Sequence, residues 1–120
     1  MSKELYDLSI LSDMVYGDTD FMRELVETFI EYAPTDAMEL AAFAKERNWD
    51  EASKKAHKLK SSIRTIGVTS LSDVILQIEQ DARDQTNMDT ICDKIHNFTQ
   101  TLNTVLDHLK KEPFIQNNNE

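Results

Sequence analysis

The chain has 120 residues, with 22 acidic against 13 basic side chains, so it is one domain's length and carries −9. That balance repels nucleic acid phosphates and anionic lipid heads, which argues against either as a main partner. Only two glycines and two prolines are present, too few for the turns of an all-β fold. Gly17 and Gly67 stand far apart, so no glycine-rich loop exists to cradle the phosphates of ATP or a dinucleotide.

Apolar residues recur at helical spacing almost throughout. A short first helix is predicted over Ser9 to Tyr16, with Gly17 ending it. Asp18 or Asp20 then caps a second helix, in which Phe21, Leu25, Phe29 and Tyr32 share one face. Pro34 either kinks this helix or opens a new segment, and the apolar face continues through Leu40 and Phe43 to about Glu46. Asn48 and Glu51 fit a capping box, so the next helix begins near Trp49. Its apolar positions Trp49, Ala52, Ala56, Leu59, Ile63 and Ile66 alternate three and four apart, as in bundle helices. Gly67 stops it.

A further helix runs from Thr69 or Ser70 to about Asp84 through Leu71, Val74, Ile75, Ile78 and Ala82. Gln85, Thr86 and Asn87 read as a loop. The last long helix spans about Met88 to Lys111, with Ile91, Ile95, Phe98, Leu102, Val105 and Leu109 on its apolar face and Pro113 ending it. Short loops make the successive long helices antiparallel neighbours. The expected fold is all-α: an antiparallel four-helix bundle with a short extra N-terminal helix over residues 1–112, and a disordered tail over 113–120. The longest apolar run, Leu40 to Ala44, is far too short to span a bilayer, and the first residues lack a secretory signal. A soluble, cytoplasmic, monomeric protein is expected.

The sharpest anomaly is charge placement. No acid occurs between Ala52 and Ser72, whereas Lys54, Lys55, Lys58, Lys60 and Arg64 do, so this stretch is +5 and the remainder −14. A charge run is usually a solvated helix face, but His57 lies in its middle. On a helix, Lys60, Ser61 and Arg64 sit about 60°, 40° and 20° from His57, forming one polar stripe beside the buried Ala56, Leu59 and Ile63. Cations without a neighbouring carboxylate lower the pKa of an imidazole, keep it neutral and nucleophilic, and neutralise an oxyanion group placed on it. The stripe thus suits a histidine that accepts a phosphoryl group; the competing reading is a structural or merely exposed histidine.

Other candidates are weaker. His96 and His108 lie on different sides of one helix and read as boundary residues. Cys92 reads as a packing residue, and alone it makes neither an internal disulfide nor a zinc site. Met14, Met22, Met38 and Met88 read as packing residues. Ser61 and Ser62 lack the glycines of a nucleophile elbow.

The segment Ala56-His57-Lys58-Leu59-Lys60-Ser61-Ser62, followed by Ile66-Gly67 and Leu71, resembles the signature of histidine-containing phosphotransfer (HPt) domains. Gly17-Asp18, Phe21, Leu25, Phe29 and Pro34 resemble the family's second helix. The resemblance spans about Leu8 to Leu109. It implies a phosphocarrier without an ATP site or autokinase activity, which takes a phosphoryl group from a receiver-domain aspartate and passes it to another. His57 would be phosphorylated on the ring nitrogen farther from the backbone. Lys60, with Ser61, Arg64 and Arg83, would support the phosphoryl oxygens, and Gln77 or Glu79 would orient the ring. Receiver domains of response regulators and hybrid histidine kinases would dock around Leu11, Met14, Val15, Lys58 and Ile63. The chain itself would need no cofactor, with Mg²⁺ supplied on the receiver. Ser61 departs from the pattern, which has glycine there. The alternative is a helical adaptor that binds signalling proteins without carrying phosphate.

Overall fold

The computed structural model describes residues 5–116, and no strand occurs among them. The helices are α1 (Leu8–Met14), α2 (Thr19–Lys45), α3 (Trp49–Ile66), α4 (Ser72–Asp84), α5 (Met88–Lys110) and α6 (Pro113–Gln116), with a 3₁₀ turn at Thr69–Leu71 before α4. The four long helices touch in cyclic order, α2 on α3, α3 on α4, α4 on α5 and α5 back on α2. This is the bundle that the alternating apolar spacing specifies, because each helix buries one stripe and leaves the other sides wet. Leu40, Leu59, Ile63, Ile75, Ile78, Phe98 and Leu102 fill the centre with almost no exposure.

Sequence-local chemistry sets the helix ends. The Asp7, Asp18 and Asn48 side chains accept hydrogen bonds from the backbone N–H groups of Ser9, Phe21 and Glu51, capping α1, α2 and α3. α2 runs unbroken through Pro34. Proline has no N–H to donate to the Ile30 carbonyl, but packing of Phe29, Ala33, Ala37 and Leu40 on the core carries the helix past that missing bond. Gly67 closes α3 at φ 88°, and its carbonyl accepts the Asp7 N–H at 2.8 Å. A Cβ at Gly67 would lie 2.4 Å from the Asp7 carbonyl oxygen. The residue therefore both turns the chain and lets the N-terminal segment lie directly on the turn. α1 is thereby laid against α3 and α2.

The loop at 85–87 is built around a buried acid. Gln85 and Asn87 both have positive φ. Thr86 Oγ1 and Asn87 Nδ2 donate to Asp81 Oδ1, while Lys94 Nζ sits 2.6 Å from Asp81 Oδ2. Burial raises the Asp81 carboxyl, but the Lys94 and Asn87 hydrogen bonds outweigh it and hold the pKa below the usual carboxylate value.

The tail expectation needs correcting at 113–116. Pro113 starts the short helix α6, which packs on α2 and α5. Ile115 is buried there, and Arg23 Nε donates to the Phe114 carbonyl at 2.7 Å. One helical turn is too short to show periodicity. Residues 117–120 lie outside the described residues.

Candidate functional site

α3 presents His57 one residue beyond the buried Ala56, at the rim of the core, and its side chain is 63% exposed. The polar stripe expected from helical geometry is present in part. Ser61 and Arg64 are exposed on the same helix, and neither makes an ion pair or side-chain hydrogen bond among the described residues. Lys60 behaves differently. Its side chain is only 14% exposed, and Nζ lies 2.6 Å from Glu79 Oε1.

Glu79 comes from α4. It lies beside the core residues Ile75, Ile78 and Ala82 and is itself buried. Its Oε2 lies 2.8 Å from His57 Nδ1. The two carboxylate oxygens are thus divided, one to the imidazole and one to the ammonium. The Lys60 contact is close but lies outside hydrogen-bond geometry, so charge rather than an aligned hydrogen bond satisfies Oε1. Burial pushes the Glu79 carboxyl up; Lys60 and then His57 pull it down harder, leaving it below the usual value and anionic at neutral pH. An anion at Nδ1 selects the tautomer with the proton on that nitrogen and the lone pair on Nε2. No described residue hydrogen-bonds Nε2.

The expectation of a histidine flanked by cations alone is therefore corrected. The carboxylate stands 22 positions away in sequence and reaches the ring only because α4 packs back on α3. The other three lysines of the cationic stretch are also answered by acids outside it, whereas, among the described residues, Arg64 is not. Lys54 pairs with Asp50 and Glu51, Lys55 with Asp36 and Glu39, and Lys58 with Asp36. Asp36, buried on the core face of α2, escaped the sequence reading. Its signal was an acid in register with Phe29, Ala33 and Leu40.

The remaining candidates separate. Arg83 lies one turn from Glu79 on α4 but pairs with Asp84 at 3.2 Å. Gln77 is exposed and makes no hydrogen bond to the ring, whose partner is Glu79. Leu11, Val15 and Ile63 are core residues and offer no docking surface, because the apolar stripes of α1 and α3 close on each other. Met14 and Lys58 are exposed. Sequence reasoning missed a groove of about 280 Å³ between α2 and α3. Leu25, Phe29 and Tyr32 line one side, and Lys58, Ser61 and Thr65 line the other, Lys58 following His57 in sequence and Ser61 standing one turn from it. Phe21 and Tyr32 on α2 and Ile10 and Met14 on α1 add exposed apolar surface. Among the described residues, no cluster of side chains suits a metal ion, and no helix is long and apolar enough to cross a membrane.

A helical bundle with one exposed, carboxylate-oriented histidine is the architecture that the sequence resemblance implies. A profile of the Hpt domain matches residues 24–112, and the chain belongs to that family. It is also similar to the phosphorelay intermediate protein YPD1 of Candida albicans, 31% identical over 78 residues, which are 62% of this chain and 42% of that protein. The chain thus spans less than half the length of that curated relative. No solved structure matches it.

Proposed function

We propose that this chain is a phosphorelay intermediate, in which His57 Nε2 accepts a phosphoryl group from an aspartyl phosphate of one receiver domain and returns it to an aspartate of another. The observation that carries this reading is the exposed imidazole with Nδ1 held at 2.8 Å by a buried carboxylate, which leaves the Nε2 lone pair facing outward. Family membership and the name of the Candida albicans relative point the same way.

In the forward step the Nε2 lone pair forms a bond to phosphorus. The P–O bond to the aspartyl oxygen breaks, and the electron pair leaves with the receiver's carboxylate. The receiver brings the Mg²⁺ that steadies the transferring group. This chain provides position and charge, with no ATP-dependent step of its own. Ser61, one turn from His57, and Arg64, two turns away, have a hydroxyl and a guanidinium uncommitted among the described residues and are the groups to meet the phosphoryl oxygens. Lys60 joins them only by leaving Glu79. The groove between α2 and α3, with exposed Met14 and Lys58, is the surface over which a receiver docks.

The test is phosphoryl transfer from a panel of receiver domains charged with Mg²⁺ and a small phosphodonor, read as acid-labile mass gain. Gain in the wild type and none in His57→Gln supports the carrier. Absence of gain from every receiver, in a folded protein, overturns it in favour of the helical adaptor.

A further inference from the structure

The division of Glu79 between His57 and Lys60 bears on the phosphorylated state as well as on the free histidine. When Nε2 forms its bond to phosphorus, Nδ1 keeps its hydrogen, so the ring becomes an imidazolium. The reverse step breaks the N–P bond and returns the electron pair to Nε2. From the protonated ring the leaving group is a neutral imidazole. From a ring that has lost the Nδ1 proton it is an imidazolide anion, a far poorer one. The proton on Nδ1 therefore governs how readily the phosphoryl departs, and the atom facing that proton is Glu79 Oε2, at 2.8 Å and buried.

We propose that Glu79 is a positioning residue that sets the lifetime of the phosphoryl group on His57, by holding the Nδ1 proton in place after transfer. The proposal rests on the carrier reading above. Lys60 is the counterweight: at 2.6 Å from Oε1 it draws part of the same negative charge away from the ring. Two other charged groups on these helices are committed elsewhere. Lys58 on α3 is held by Asp36 of α2, and Arg83 on α4 by Asp84. Arg64, free of partners among the described residues, is two turns along α3. The ring thus faces one carboxylate, and the share of charge that this carboxylate offers is fixed by one lysine.

The experiment charges the full chain directly with phosphoramidate, so that no receiver is needed, and follows loss of acid-labile mass from pH 5 to 9. In the wild type the loss rate should fall with rising pH through a midpoint set by the Nδ1 proton. Glu79→Gln keeps an oxygen acceptor for Nδ1 but removes the charge. A carboxylate at hydrogen-bond range shifts a neighbouring pKa by about one unit or more, so the variant's midpoint should move to lower pH by about one unit. Above both midpoints its phosphoryl should persist about tenfold longer. Lys60→Met should move the midpoint the opposite way, because the whole Glu79 charge then falls on the ring. If Glu79→Gln does not fold, the comparison of Lys60→Met with the double variant Lys60→Met/Glu79→Gln reads the same effect without an unpaired lysine. Coincident pH profiles for a charge-bearing and a charge-free position 79 overturn the proposal while leaving the carrier reading intact. No phosphoryl on wild-type His57, from either phosphoramidate or receivers, overturns both.

Discussion

Gly67→Ala separates two costs that a turn glycine can hide. Residue 67 sits at φ 88°, where a Cβ costs about 1–2 kcal/mol against its own backbone. The same Cβ would approach the Asp7 carbonyl oxygen to 2.4 Å, so the N-terminal segment must withdraw and the 2.8 Å bond from Asp7 N–H to Gly67 is lost, about 1 kcal/mol more. With partial loss of α1 packing, the total is about 2–4 kcal/mol. Gly17 supplies the control. It has a similar φ of 74°, but nothing lies within 4 Å of the place a methyl group would take, so Gly17→Ala carries only the backbone cost. Urea unfolding followed by far-UV circular dichroism would measure both. With a slope of about 2 kcal/mol per molar, the Gly67 variant's midpoint should fall about 0.5–1 M below that of the Gly17 variant. Equal midpoints would show that the contact with Asp7 contributes nothing and that this turn glycine serves backbone geometry alone.

Stability should also fall in acid. Glu79 and Asp81 have pKa values below their unfolded ones, so each stabilises the fold above the unfolded carboxyl pKa and loses that contribution as pH drops through the folded value. Thermal scans between pH 7 and pH 2 should show a melting temperature that falls on the acid side, and Asp81→Asn should flatten part of that fall. Ile115→Ala should cost about 1–3 kcal/mol by chemical denaturation, because a buried side chain of α6 is removed; no change would mean that α6 does not dock. Thr65→Trp should fill the groove between α2 and α3, slowing transfer from receivers at least tenfold while leaving direct phosphorylation by phosphoramidate unchanged.

What the sequence discloses follows from the range of each interaction. The bundle is legible because Ala52, Ala56, Leu59, Ile63 and Ile66 repeat within one helix, and burial of that stripe is decided locally. The caps at Asp18 and Asn48 are legible for the same reason: acceptor and donor stand three residues apart. His57 is legible as an odd residue in an acid-free stretch. Its environment is not legible from local spacing, because Glu79, offered beside Gln77 only by the resemblance, and Asp36, offered by nothing, arrive from other helices and reverse the local charge picture. Leu11 and Val15, in and just after one short helix, look equally suited to core and surface on periodicity alone. Only the closing of α1 on α3 assigns them to the core and leaves Met14 outside. Lys60 shows the same limit: its place in the stripe is set by helical geometry, and its commitment to Glu79 by packing between helices.

The pairings around α3 also determine how this face looks from a distance. Lys54, Lys55, Lys58, Lys60 and Arg64 are five positive charges, and Asp36, Glu39, Asp50, Glu51 and Glu79, all paired with these lysines and Asp36 with two of them, are five negative ones. Their sum is zero, so the whole −9 of the chain resides elsewhere. Beyond a Debye length of about 8 Å in physiological salt, such a patch casts almost no field. An approaching protein meets an electrically quiet window around His57 inside an anionic surround. If the proposed receivers dock here, an acidic one would be repelled by the rest of the molecule and not by this window, and selection at the window would fall to short-range fit over the groove.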